Sequence, residues 1–240
     1  KSSLIKKKVV KKKVARRPPP VETGAETAAE RFKPLLQRCK WVGPYAACKA
    51  IEALVNRLSP QNLRTVVASD PYGGVPTIYK DSVLAQVWPE PASEAPLFLL
   101  MPVTLGATSQ VPTDYLNQIP KVFTFPQSLG IVGGRVGASL YFVGVQEAKL
   151  LYLDPHTVHN ALDDTGDLST FTCDRINHMN LASINPSLAM GFFCRDRASF
   201  EDLCFRLGIF ERKLRTRAIA MVRDGFPPSY MDEDACSVGS

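Results

Sequence analysis

The sequence predicts an α+β domain, an antiparallel sheet with flanking helices, and three observations carry that prediction. Apolar runs of strand length recur at 97–101, 139–143, 149–153 and 189–194, the middle two joined by only five residues, as consecutive antiparallel strands require. Two other segments, 45–58 and 199–207, space their apolar residues at the helical period instead. The chain has 240 residues, enough for one sizeable core or two small ones. No internal repeat occurs. No apolar stretch reaches the roughly 18 residues of a membrane span, and the N-terminus has no apolar signal-peptide core.

Charge is distributed unevenly. Residues 1–17 carry seven Lys and two Arg without an acid, so the net +6 of the whole chain becomes −3 over the remaining 223 residues. Lysine triplets at 6–8 and 11–13 repel one another in any compact state, and Pro18-Pro19-Pro20 stiffens the chain as polyproline II. A disordered, solvated tail is one reading of this run. An electrostatic contact with an anionic membrane or nucleic acid is the other, although without interleaved aromatics the tail has no platform for base stacking and specific nucleic-acid binding is not expected.

The structured part is expected to begin near residue 31. Gly43-Pro44 marks a turn, with proline suited to the first turn of the following helix. That helix runs from Tyr45 to about Leu58 with Ala47, Ile51, Leu54, Val55 and Leu58 on one face. Arg64 to Ala68 is a β-branched strand, and Pro71-Tyr72-Gly73-Gly74 a turn. Leu97 to Met101 is apolar throughout and suits a central strand buried on both faces. Pro112 to Leu116 is a short helix. Strands follow at 139–143, 149–153 and 189–194. A last helix, 199–207, turns Phe200, Leu203, Cys204 and Leu207 inward. The segment 211–240, basic and then acidic, is expected to be a flexible tail.

The chemistry-bearing stretch is Leu150-Leu151-Tyr152-Leu153-Asp154-Pro155-His156. Side chains two apart on an extended backbone share a face, and Pro155 suits the end of a strand. Asp154 and His156 are thereby placed together at a strand's end. A carboxylate beside an imidazole can fix the ring's tautomer, as the general base of a nucleophile needs. Spacing alone also fits two ordinary polar turn residues. His159 adds only a His-x-x-His pair, a weak metal signal, so no metal site is expected.

This stretch, together with Phe125-Pro126-Gln127-Ser128-Leu129-Gly130-Ile131-Val132-Gly133-Gly134 and Asn185-Pro186-Ser187-Leu188-Ala189-Met190-Gly191-Phe192-Phe193-Cys194, closely resembles the autophagins. These are papain-like cysteine proteases of autophagy that trim and delipidate a small ubiquitin-like modifier. The resemblance extends from about Trp41 to Leu207. It implies a papain-like fold in the segment 31–210, with Asp154 and His156 catalytic. It also implies a cleft lined by Trp41 of the Trp-x-Gly-Pro pattern, and a loop at Gly133, Gly134, Arg135 and Val136 that lies over the cleft. Val136 stands where that family's loop commonly carries proline. The implied partners are the modifier and its phosphatidylethanolamine conjugate, in the cytoplasm, without a cofactor.

The six cysteines are irregularly spaced and form neither a disulfide framework nor a CxxC metal pattern, which fits a reducing compartment. The family's nucleophile lies in a Gly-Trp-Gly-Cys motif upstream of the Trp-x-Gly-Pro segment, and no such motif occurs between residues 1 and 240. Cys39 has basic neighbours and Cys48 falls early in a helix, but both are misplaced for that role. The chain also opens on Lys1 rather than Met. The expectation is therefore an N-terminally incomplete protease whose nucleophile-bearing segment is missing and which is inactive by itself. The alternative is a relative that binds the modifier without cleaving it.

Overall fold

The computed structural model describes residues 42–70, 74–89, 94–135, 138–156, 169, 175–214 and 218–228. Helix α1, Pro44–Leu58, starts with its proline at the first helical position, and Ser59 in the left-handed region returns its N–H to the Val55 carbonyl. Strands β1 (Arg64–Val67) and β2 (Thr77–Tyr79), helix α2 (Lys80–Val87) and strand β3 (Leu97–Thr104) follow. Two one-turn helices, α3 (Thr113–Leu116) and α4 (Ile119–Val122), lead into β4 (Ser128–Arg135), β5 (Ala138–Gln146) and β6 (Lys149–Leu153). The remainder is β7 (Asn177–Asn180), β8 (Ser187–Cys194), α5 (Arg197–Lys213) and β9 (Met221–Arg223). The fold class is the predicted α+β architecture, a multi-stranded sheet flanked by helices, consistent with a papain-like cysteine-protease fold.

The main sheet has the order β1-β3-β8-β4-β5-β6-β7, antiparallel except for the parallel β1–β3 pair. Alternation along the strands divides its side chains between two faces. One face is the core. Leu97, Leu99, Met101 and Val103 of β3 sit opposite Cys194, Phe192, Met190 and Leu188 of β8, all buried. Ile131, Phe142 and Leu150 extend this layer across β4, β5 and β6. Val83 and Val87 of α2 belong to the same cluster. So do Phe200, Leu203, Cys204 and Leu207 of α5, the four residues that the sequence periodicity turned inward.

The β1 edge is closed by side chains from α1. Parallel pairing points the Arg64 and Ala68 N–H groups at β3, where they bond Pro96 and Leu100 carbonyls. The Thr65 and Val67 N–H groups then face away from the sheet. Asn56 accepts from the Thr65 N–H at 2.7 Å and donates to the Thr65 carbonyl at 2.8 Å, and Glu52 accepts from the Val67 N–H at 2.8 Å. A helix thus covers an edge that would otherwise be free to pair with another chain.

Order reaches further along the sequence than expected at the C-terminal end. The structured part was expected to stop at 210, but α5 continues to Lys213, and β9 pairs in parallel with β2. Ala218, Ile219 and Ala220 are buried, and the Ile219 N–H donates to Gln118 at 2.8 Å. The short apolar triplet between basic residues has too little pattern to be read as core from sequence. Likewise the helix Lys80–Val87 and the strand Asn177–Asn180 are elements that the sequence patterns did not place.

Candidate active site

The Asp154/His156 pair is positioned by β6 and by the loss of pairing at its end. Tyr141 and Leu153 are the last cross-strand partners of β5 and β6, and Tyr152 and Asn177 the last of β6 and β7. Pro155, lacking an N–H, falls just beyond. The chain turns there, and one oxygen of Asp154 holds the turn. Oδ1 accepts the His156 backbone N–H at 3.0 Å and meets His156 Nδ1 at 2.6 Å. The first contact is the local side-chain-to-backbone bond that Asp makes readily in turns. The second sets the ring. An ionised carboxylate only accepts, so Nδ1 carries the proton and, in the neutral ring, Nε2 keeps its lone pair. Both side chains are about half exposed, 44% for Asp154 and 55% for His156, so the pair is open to an incoming group.

The turn follows directly on a row of residues that crosses the sheet. Pairing places Pro102, Ala189, Val132, Tyr141 and Leu153 in one row across β3, β8, β4, β5 and β6, and Asp154 is the next residue. Leu129, Val132, Tyr141, Val143 and Phe193 are all exposed large apolar side chains. Phe98, Leu100, Leu129, Gly130, Val132, Tyr141, Ala189 and Gly191 line an open depression of about 350 Å³. The Tyr141 hydroxyl donates to the Leu129 carbonyl, bracing the depression's floor.

Gly133 and Gly134 are part of β4 and its hairpin with β5. A Cβ on Gly134 would stand 1.9 Å from the Ala138 carbonyl oxygen, and one on Gly133 would stand 2.3 Å from a Leu188 methyl. The Gly134 carbonyl also accepts the Asn185 N–H at 2.8 Å. Close backbone approach requires glycine at 134 whatever else the loop does. Arg135 pairs with Ala138 through the backbone. Val136 and Trp41 lie outside the described residues, as do residues 1–30 and His159.

Other parts of the quoted motifs hold the site up. Gln127, buried, donates to the Ser199 carbonyl at 3.1 Å and to Asp202 at 2.9 Å, joining the start of β4 to α5. Phe125 packs edge-on against Phe192 and Phe210. Gly130, at φ +101°, sits at the irregularity in β4–β8 pairing, and a Cβ there would be 2.3 Å from the Phe142 carbonyl oxygen. Sequence reasoning missed the Tyr141–Leu129 brace and the role of Gln127. Both depend on partners brought together by pairing, and neither leaves a local signal.

The described cysteines do not approach nucleophile chemistry. Burial, with a smaller push from Glu52, raises the Cys48 thiol to about 11. Burial first, then Asp196, raises Cys194 to about 12, and burial raises Cys204 to about 12. All three stay protonated at neutral pH, where the thiolate is the reactive form. Among the described residues, no group of three or more His, Cys, Asp or Glu could hold a metal ion, and no helix is long and apolar enough to cross a membrane.

Comparison with known proteins gives one consistent result. A family described as the peptidase C54 catalytic domain matches residues 27–206. The cysteine protease ATG4a of Arabidopsis thaliana is 40% identical over a 187-residue alignment, covering 69% of this chain and 40% of that protein. The cysteine protease ATG4B of Oryza sativa subsp. indica is 39% identical over 224 residues, covering 82% and 46%. The cysteine protease atg4 of Emericella nidulans is 32% identical over 181 residues, covering 72% and 44%. The chain spans less than half the length of these relatives.

Proposed function

This chain belongs to the peptidase C54 family, and from that premise we propose that it supplies the general-base half of a cysteine endopeptidase of autophagy. The substrate is a ubiquitin-like modifier, cut after its C-terminal glycine. The same amide cleavage releases the modifier from phosphatidylethanolamine. The observation that carries this reading is the 2.6 Å contact between Asp154 and His156 Nδ1 at the end of β6.

In the proposed reaction, His156 Nε2 takes the proton of a cysteine thiol, and the thiolate attacks the glycine carbonyl. The imidazolium, held by Asp154, returns the proton to the departing amine as the C–N bond breaks and a thioester forms. Water, deprotonated by His156, then hydrolyses the thioester. This chemistry asks for no metal or organic cofactor. The reading assigns the cleft to Trp41, Gly133, Gly134, Arg135 and Val136, and sets the reaction in the cytoplasm. An extended C-terminal tail approaching the Asp154/His156 turn would meet the apolar rim around Tyr141 and Val132. The basic run 1–17 is proposed to add a weak contact to anionic membrane, screened by salt.

The thiols of Cys48, Cys194 and Cys204 are buried and pushed upward, which supports placing the nucleophile elsewhere. That observation also favours a second reading, in which this chain alone binds the modifier without cutting it. The test is cleavage of modifier bearing a C-terminal extension, followed by mass. It uses this chain, the chain extended upstream in its own reading frame, and a His156→Ala variant of each. Turnover that survives His156→Ala would overturn the assignment. Turnover by the 240-residue chain that is abolished by Cys48→Ser would overturn the exclusion of that cysteine.

A further inference from the structure

The main sheet leaves one apolar surface uncovered, and the same chain carries a helix of the kind that fits it. We propose that a second copy of this chain covers that surface, in a twofold pair in which α1 of each copy seats on the sheet of the other.

The surface comes first. Strand alternation puts Phe98 and Leu100 of β3, with Ala189, Gly191 and Phe193 of β8, on the face opposite the buried core layer. The depression of about 350 Å³ lies on this face, and none of its eight lining residues is charged. Leu129, Val132, Tyr141, Val143 and Phe193 are each between 37% and 53% exposed. Strands β8, β4 and β5 span two strand spacings, about 10 Å, which is about the width of one helix.

The helix comes second. α1 packs against β1, β3 and β8. Cys48 and Leu100 are buried outside the core cluster that α2 and α5 join, so α1 covers part of this same face. Its Glu52 and Asn56 turn toward the β1 edge. Ile51, Leu54 and Leu58, 39%, 41% and 63% exposed, form a stripe at i, i+3 and i+7, about 100–160° around the helix from that polar side. A stripe of this spacing is how a helix lies in an apolar groove. A twofold axis brings each stripe onto the partner's depression, so both surfaces are buried twice.

Area and charge come third. The three helix and five sheet side chains, each roughly half exposed, leave about 600 Å² of apolar surface per copy, at roughly 60–100 Å² apiece. A stable pair buries about 800 Å² per partner, a little over half of it apolar, so this surface suffices. With no charge in the depression, the pairing sets no like charges against each other there.

The experiment is sedimentation velocity on the 240-residue chain from about 0.5 to 200 µM, a range that brackets an expected Kd of about 1–50 µM. The mass should rise from 26.4 kDa to twice that value and stop, because a twofold pair closes. Leu54→Glu and Val132→Glu each place a charge in the interface and should weaken pairing about tenfold or more. Both native side chains are exposed, so the thermal midpoint measured well below the Kd should not move. Ile51→Glu replaces Leu54→Glu if the latter fails that check. The chain extended upstream in its own reading frame should pair as well. A monomer throughout the range, growth past the pair, pairing indifferent to the variants, or a monomeric longer chain, whose own upstream segment then takes the face, would each overturn the proposal. None of these outcomes bears on the Asp154/His156 assignment.

Discussion

Replacing Asp154 by Ala removes an atom that holds His156, and the consequence can be read directly on the imidazole. In the native turn Oδ1 accepts both the His156 backbone N–H at 3.0 Å and Nδ1–H at 2.6 Å. A hydrogen bond to a charged acceptor is worth about 1.5–3 kcal/mol when shielded. Here the side chains are 44% and 55% exposed, which discounts the contact to about 0.5–1 kcal/mol. That energy favours the Nδ1–H tautomer by about two- to fivefold over the same ring without its partner. The assay is ¹⁵N NMR of the histidine rings above their titration range, with the His156 signal assigned by its loss in His156→Gln. Native protein should show a larger share of Nε2 in its unprotonated, lone-pair form than a ring without the partner. Asp154→Ala should move the population toward Nε2–H by that factor. Asp154→Asn should keep the backbone turn but lose part of the bias, since the amide oxygen accepts without a full charge. An Asp154→Ala ring with an unchanged tautomer ratio would refute the orienting role, independently of any substrate.

Other outcomes follow from the scaffold. Asn56→Ala leaves the buried N–H and carbonyl of Thr65 without partners. At about 1–3 kcal/mol for each orphaned group, it should destabilise the chain by about 2–6 kcal/mol in urea unfolding, whereas Asn56→Asp should cost less. Gly134→Ala places a methyl 1.9 Å from the Ala138 carbonyl oxygen, which opens the β4–β5 hairpin. A cost of about 1–3 kcal/mol, in the overpacking range, is expected in the thermal midpoint. Cys48, Cys194 and Cys204 should react with a thiol reagent at pH 8 only as fast as the chain unfolds, read by mass after mild digestion. Their folded thiols titrate at about 11, 12 and 12 against an ordinary 9.0. Below 9 both states are protonated and the contribution to stability is intact. As pH rises above 9 the unfolded chain loses its thiol protons first, so stability falls through the window up to 11–12. A flat urea midpoint from pH 8.5 to 10.5 in the triple Cys→Ala background, against a falling one in the native chain, checks the sign.

The sequence by itself determined the parts of this protein whose physics is local. Apolar runs and turn residues placed β1, β3, β5, β6 and β8, because a strand's face pattern repeats every two residues and needs no knowledge of its neighbour. Helical spacing named the four buried residues of α5 and both ends of α1. The Asp-Pro-His order implied a turn after a strand, because Pro155 cannot continue a ladder. The motifs that signalled the family are local strings as well, which is why the resemblance from Trp41 to Leu207 coincides so nearly with the matched residues 27–206. Tertiary structure decided what depends on partners far apart in the chain. The apolar stripe of α1 does not become core: Ile51, Leu54 and Leu58 are exposed, while Glu52 and Asn56 turn toward β1 and close its edge. Periodicity can find a stripe but cannot say which side of a helix meets the sheet, and here backbone N–H groups in need of acceptors make the polar side the inner one. The same holds at 218–223, where a few apolar residues become core only because Gln118, α5 and β2 surround them. It holds also for the row from Pro102 to Leu153, which ends on the residue before Asp154. That row exists only in the register of five strands, and register is a property of pairs, which no single strand encodes.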